Sequence, residues 1–163
     1  MDSEPLIPEI TRNPDDLRIC AELMAATDPW ITLGAKYDVC LKSFEGECKE
    51  VYVIRSGSEI AGFAVLQVCG TFSGYIQTIC LGEKFRNRGL GTMLLEFCEK
   101  RSLEFSPNLF ICVSSFNEGA IRLYKKFGFK LVGELENFVV DGFTELLLRK
   151  TVGQRVGYKP RRS

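Results

Sequence analysis

Leu17, Cys20, Leu23 and Met24 recur at helical spacing, which predicts a first helix through Asp16–Met24 capped by Asn13 or Asp15. Asp28-Pro29 reads as a second helix start, aspartate as N-cap and proline at the first helical position, ahead of Trp30-Ile31-Thr32-Leu33. The pattern then changes. Glu50–Arg55 is rich in β-formers, Ser56–Glu59 is a turn, and Ile60–Cys69 and Tyr75–Leu81 form a hairpin around Gly70–Gly74. Leu94, Leu95, Phe97 and Cys98 mark the apolar stripe of a helix ending near Ser102. A strand at Leu109–Val113 and a helix at Glu118–Phe127 follow. Strands near Lys130–Glu134 and Phe143–Lys150 close the chain about Asp141-Gly142. Two helices, three strands and then alternating elements predict an α/β (α+β) fold, a mixed sheet with helices on both faces.

Ile60–Gly82 carries no charged side chain, the superficial mark of a membrane span. Gly62, Gly70 and Gly74 interrupt it and five hydroxyl and amide residues dilute it, so two central strands explain it better. The 163 residues suit one domain, read as 1–152, followed by a basic, flexible tail at 153–163. Lys+Arg and Asp+Glu tie at 21 each, which argues against a dedicated nucleic-acid binder. Arg155, Lys159, Arg161 and Arg162 leave 17 basic against 21 acidic side chains in residues 1–152, a mildly acidic body. There is no histidine, so imidazole bases, Ser-His or Cys-His pairs and histidine-ligated metals are excluded. Seven cysteines without a CxxC pair argue against a zinc site or a disulfide framework. With the acidic start Met1–Pro5, which lacks the basic and apolar regions of a signal peptide, they point to a reduced, cytoplasmic setting, and no membrane partner is expected.

The sharpest chemistry lies at Arg86-Asn87-Arg88-Gly89-Leu90-Gly91-Thr92, between a strand and a helix. Gly89 and Gly91 carry no side chain to hold a phosphate off the backbone. The helix N-terminus supplies unpaired N–H groups and the positive end of the dipole, and Arg86 and Arg88 add full charges. This reads as a pyrophosphate cradle. Leu94 stands where a GxGxxG dinucleotide loop needs its third glycine, and no GxxxxGK[ST] loop occurs.

Arg86-x-x-Gly89-x-Gly91 resembles the acyl-CoA signature of the GNAT superfamily of N-acetyltransferases, and Asn117 to Phe129 resembles its N-x-x-A-x-x-x-Y-x-x-x-G-F segment, in the ribosomal-protein alanine acetyltransferase style. The likeness implies a mostly antiparallel central sheet of six to seven strands, the fourth and fifth splayed at an acetyl-CoA site. It also implies roles. Ile79, Cys80 and Leu81 would bond the pantetheine chain through the backbone, with the Leu81 amide on the thioester carbonyl. Arg86, Asn87, Arg88, Gly89, Leu90, Gly91 and Thr92 would hold the pyrophosphate. Asn117 would contact the pantetheine arm or only cap its helix. Tyr124, the implied catalytic residue, would face the sulfur or else serve the core.

Reference values of about 10 for tyrosine and about 8.5 for a thiol make full proton transfer from Tyr124 uphill by ~2 kcal/mol, which suits a hydrogen-bond donor. The base is open. Tyr75 and Gln77 occupy the fourth strand, where some family members carry a glutamate, leaving a water chain or a loop carboxylate. Asp28, Trp30, Phe72, Tyr75 and Phe138 are the candidate acceptor-pocket residues, Asp28 with helix capping as its other reading and the aromatics with packing as theirs. The function implied is acetyl transfer from acetyl-CoA to a primary amine, with a protein N-terminus or a non-catalytic CoA sensor as the alternatives. No metal or nucleic-acid partner is implied. An edge strand near Phe143–Lys150 could pair two copies in a homodimer.

Overall fold

The computed structural model describes residues 6–160. In chain order its elements are β1 (Glu9–Thr11), α1 (Pro14–Ala25), α2 (Tyr37–Lys42), β2 (Lys49–Ser56), β3 (Glu59–Gln67), β4 (Tyr75–Leu81), α3 (Leu90–Ser102), β5 (Asn108–Ser114), α4 (Glu118–Phe127), β6 (Lys130–Glu136) and β7 (Thr144–Thr151). Seven strands make one sheet in the order β1-β2-β3-β4-β5-β7-β6, antiparallel except for the β4–β5 pair. This is the mixed, mostly antiparallel sheet that the element order and the resemblance imply.

Strand alternation sorts the core into two layers. Val51, Val53, Phe63 and Val65 pack with Cys20, Met24 and Cys40 of α1 and α2. Tyr52, Ile54, Ala64 and Leu66 face the opposite way, onto Leu94, Leu95 and Cys98 of α3 and Tyr124 of α4. The uncharged run from Ile60 is thus a central strand covered on both faces. Among the described residues no helix is long and apolar enough to cross a membrane.

One irregularity positions the site. Val65 pairs with Thr78 but Leu66 pairs with Ile76, so Gln77 is an extra residue bulged from β4. Pairing of β4 with β5 stops at the same point, after Tyr75–Phe110 and Ile76–Ile111. The bulge bends β4 away from its neighbour, and the two strands part. The Gln77 side-chain Nε2 donates to the carbonyl of Ser43 at 2.9 Å, tying the bulge to the end of α2.

Several expectations are corrected. Asn13, not Asp15, caps α1: its side chain accepts from the amide of Asp15 at 3.0 Å, with Pro14 in the first helical position. No helix starts at Asp28-Pro29. The Asp28 carboxylate accepts from both the amide and the hydroxyl of Thr32, at 3.1 and 2.7 Å, and closes one turn. The next bonds, Gly34 to Ile31 and Ala35 to Trp30, leave the helical spacing, and the second helix begins only at Tyr37. The segment near Phe143–Lys150 is not an edge, because β7 lies between β5 and β6 and its backbone is paired on both sides. The edge strands are β1 and β6. Cys48 and Cys69 are joined in a disulfide, a pair that the reading of a reduced setting did not include. They tie the segment before β2 to the one after β3. The other five cysteines are free, four of them buried.

The N-terminal start at Met1–Pro5 and the cations Arg161 and Arg162 lie outside the described residues. Within 153–160, the Tyr158 hydroxyl donates to the carbonyl of Leu103 at 2.7 Å.

Candidate active site

At the C-terminal end of the separated strands the chain turns through Glu83–Phe85 into the N-terminus of α3. Gly89 is the N-cap with φ +81°, a left-handed conformation that glycine adopts without strain. The amide of Met93 is the first to close the helical ladder, onto the carbonyl of Gly89, so the amides of Leu90, Gly91 and Thr92 have no helical partner. Gly91 has another duty. A β-carbon there would stand 3.2 Å from Leu123 and 3.6 Å from Leu81, so its small size lets α3 sit close to α4 and β4. Neither Arg86 nor Arg88 forms a salt bridge among the described residues. Unpartnered amides, a helix dipole and two guanidinium groups without an acidic partner, that of Arg88 lying over the Phe85 ring, fit a pyrophosphate.

Along the parted strand, amides alternate in direction. The amide of Gly82 bonds the carbonyl of Ala61 on β3 at 2.9 Å, so the amide of Leu81 points the other way, into the gap beside β5. The Cys80 side chain faces the α1–α2 layer, and burial pushes its thiol up to about 12, leaving its backbone as the usable part.

A cavity of about 460 Å³ opens from this gap. Ile79, Asn117 and Tyr124 line it on the cofactor side, and Trp30 and Tyr75 lie in its wall. Asp28, Phe72 and Phe138 do not. Asp28 is occupied by Thr32, Phe72 packs edge-on against Phe110, and Phe138 is 59% exposed on the β6–β7 loop. Asn117 caps α4 by accepting from the amide of Ala120 at 3.2 Å, which engages its oxygen and leaves its NH2 free. Tyr124 is buried against Phe129, and burial, with Cys80 next, raises its hydroxyl pKa above the ordinary range. The gap to a thiol therefore widens, and Tyr124 is suited to donate a hydrogen bond rather than a proton.

The sequence pattern missed the other half of the cavity. Leu33 and Val39 from the α1–α2 segment and Val139 and Val140 from the β6–β7 loop make its walls apolar. Glu145 of β7 lines it too, although only 5% exposed. Its Oε1 accepts from Ser114 Oγ at 2.6 Å, and burial raises its carboxyl pKa while that bond lowers it. The available signal was one acid set among Phe143, Leu146, Leu147 and Leu148.

Residues 17–129 match the model of the acetyltransferase (GNAT) family. The chain belongs to that family. Over 115 residues it is 30% identical to an N-alpha-acetyltransferase of Sulfurisphaera tokodaii, an alignment covering 63% of this chain and 67% of the relative. Solved GNAT folds superpose over most of its length. The ribosomal-protein alanine N-acetyltransferase of Escherichia coli gives a TM-score of 0.69 at 20% identity, covering 91% of this chain and 96% of its own. An aminoglycoside 6′-N-acetyltransferase complexed with coenzyme A gives 0.74 at 16% identity, covering 97% and 100%. Membership supports acetyl transfer as the activity.

Proposed function

We propose that the protein transfers acetyl from acetyl-CoA to a primary amine by direct attack of the amine on the thioester. The observation that carries this is the parting of β4 from β5 at Gln77, which turns the free Leu81 amide toward the gap from which the Tyr124-lined cavity opens. Acetyl-CoA supplies the activated carbonyl. The amides of the α3 N-terminus, with Arg86 and Arg88, hold the pyrophosphate, while Ile79, Leu81 and Asn117 hold the arm. The Leu81 amide stabilises negative charge on the carbonyl oxygen, and the Tyr124 hydroxyl donates to the departing sulfur.

For the acceptor, the α-amine of a polypeptide is favoured by the relative named an N-alpha-acetyltransferase, and a small amine is the other reading. Free-thiol release from acetyl-CoA across amines and N-terminal peptides tests the proposal. Release with one acceptor class supports it and names the acceptor. Tight CoA binding with no release from any acceptor replaces it with a CoA sensor.

A further inference from the structure

We propose that Glu145 is the amine-recognition residue of this site: it holds the acceptor as an ammonium ion through Oε2 and takes its proton before attack. The inference rests on the acetyl-transfer reading above.

The cavity is built for one charge. Its titratable lining groups besides Glu145 are Tyr75 from β4, Cys112 from β5, Cys40 from α2 and Tyr124 from α4, and burial raises the pKa of each, so all are neutral near pH 7. No lysine or arginine lines it, and Glu145 forms no salt bridge among the described residues. Across β6 its register partner is the uncharged Leu135. Burial of this carboxyl favours a cation partner or a proton. Ser114 engages Oε1, while Oε2 accepts no hydrogen bond from the described residues and is not sealed from the cavity, so one oxygen remains for an incoming donor. The surrounding Trp30, Leu33, Val39 and Val140 suit an aliphatic group beside the ammonium. The class of acceptor is thus a monocationic primary amine with an apolar substituent.

The proton balance is simple. An ammonium proton passes to Oε2, giving neutral amine and a neutral carboxylic acid. As the C–N bond forms and the C–S bond breaks, a second nitrogen proton accompanies the thiolate away as thiol. Glu145 then releases its proton to solvent.

The test uses the full chain, acetyl-CoA and L-leucinamide, whose α-amine has a pKa of about 8 and is roughly 90% protonated at pH 7. Glu145→Gln keeps an oxygen for Ser114 but accepts no proton. It should lose about tenfold in kcat/KM at pH 7 and recover near pH 9, where free amine prevails. Equal loss at both pH values, or none, overturns the proposal. A second measurement needs no variant. By calorimetry the CoA complex of the wild-type protein should bind leucinamide at least tenfold more tightly than 4-methylpentanamide, the same skeleton without the amine. Equal affinity, or binding of neither, also overturns it. Should the wild type release no thiol with any amine, the acetyl-transfer reading fails by itself, and the binding ratio still decides the ammonium site.

Discussion

Ser114 and Glu145 stand directly opposite in the β5–β7 register, and the hydroxyl of the first donates to the buried carboxylate of the second at 2.6 Å. The pair places a charge-capable group in the cavity wall from a strand outside both family motifs. Removing the hydroxyl removes the only hydrogen bond among the described residues that favours the charged carboxyl over the neutral one. Burial then acts unopposed, and the Glu145 pKa rises further. If Glu145 must be ionised for turnover, Ser114→Ala moves the acid limb of kcat/KM to higher pH and leaves the plateau above it little changed. A pH profile with one saturating cofactor concentration reads this, and a stationary acid limb would remove the link between the pair and turnover.

Tyr124→Phe keeps the ring against Phe129 and deletes the hydroxyl. A hydrogen bond to a charged partner contributes about 1.5–3 kcal/mol, so turnover should fall roughly 10- to 100-fold. Because the bond matters most as sulfur gains charge, kcat falls while the affinity for acetyl-CoA holds. Burial keeps Tyr124 protonated across the working range, so the basic limb of the wild-type profile is not assigned to it. Unchanged kcat in the Phe variant would return Tyr124 to a core role.

How much of this was readable follows from how local each feature is. The cradle from Arg86 to Thr92 is contiguous, so its glycines, cations and helix start are visible together. Asn117 and Tyr124 share one helix and one motif. The acceptor side is assembled differently. Trp30, Tyr75, Val140 and Glu145 arrive from four separate segments, and only the sheet order, with β7 inserted beside β5, brings them together. Gln77 reads as an ordinary strand residue, since a bulge depends on the register with β3. Asp28 has the residue types of a helix start, yet its carboxylate is satisfied within one turn by Thr32.

Gly89→Ala tests the cradle. The added β-carbon meets nothing within 4 Å, so the cost is conformational, about 1–2 kcal/mol for a left-handed alanine. Part of that cost appears as lower thermal stability. The rest appears as weaker CoA binding, as the free amides of the first turn lose their alignment. Titration calorimetry and a melting curve together separate the two. Intact CoA affinity in a folded variant would place the pyrophosphate elsewhere.

Glu50, which does not line the cavity, offers a stability test with a defined pH sense. Arg101 donates to both of its oxygens, at 3.0 and 2.8 Å, and Tyr52 donates to one of them as well. The Arg101 hydrogen bonds hold the Glu50 pKa below its ordinary value, against the opposing pull of burial. A depressed folded-state pKa means that this stabilisation is complete above the unfolded value of about 4.3 and fades as pH falls through the folded one. Arg101→Ala should therefore destabilise by about 2 kcal/mol at pH 7. The gap between variant and wild type should narrow below about pH 4, as both carboxyls become protonated. Urea unfolding at pH 7 and pH 3 measures it, and a gap that stays constant would mean that Arg101 acts through its packing over Phe105 instead.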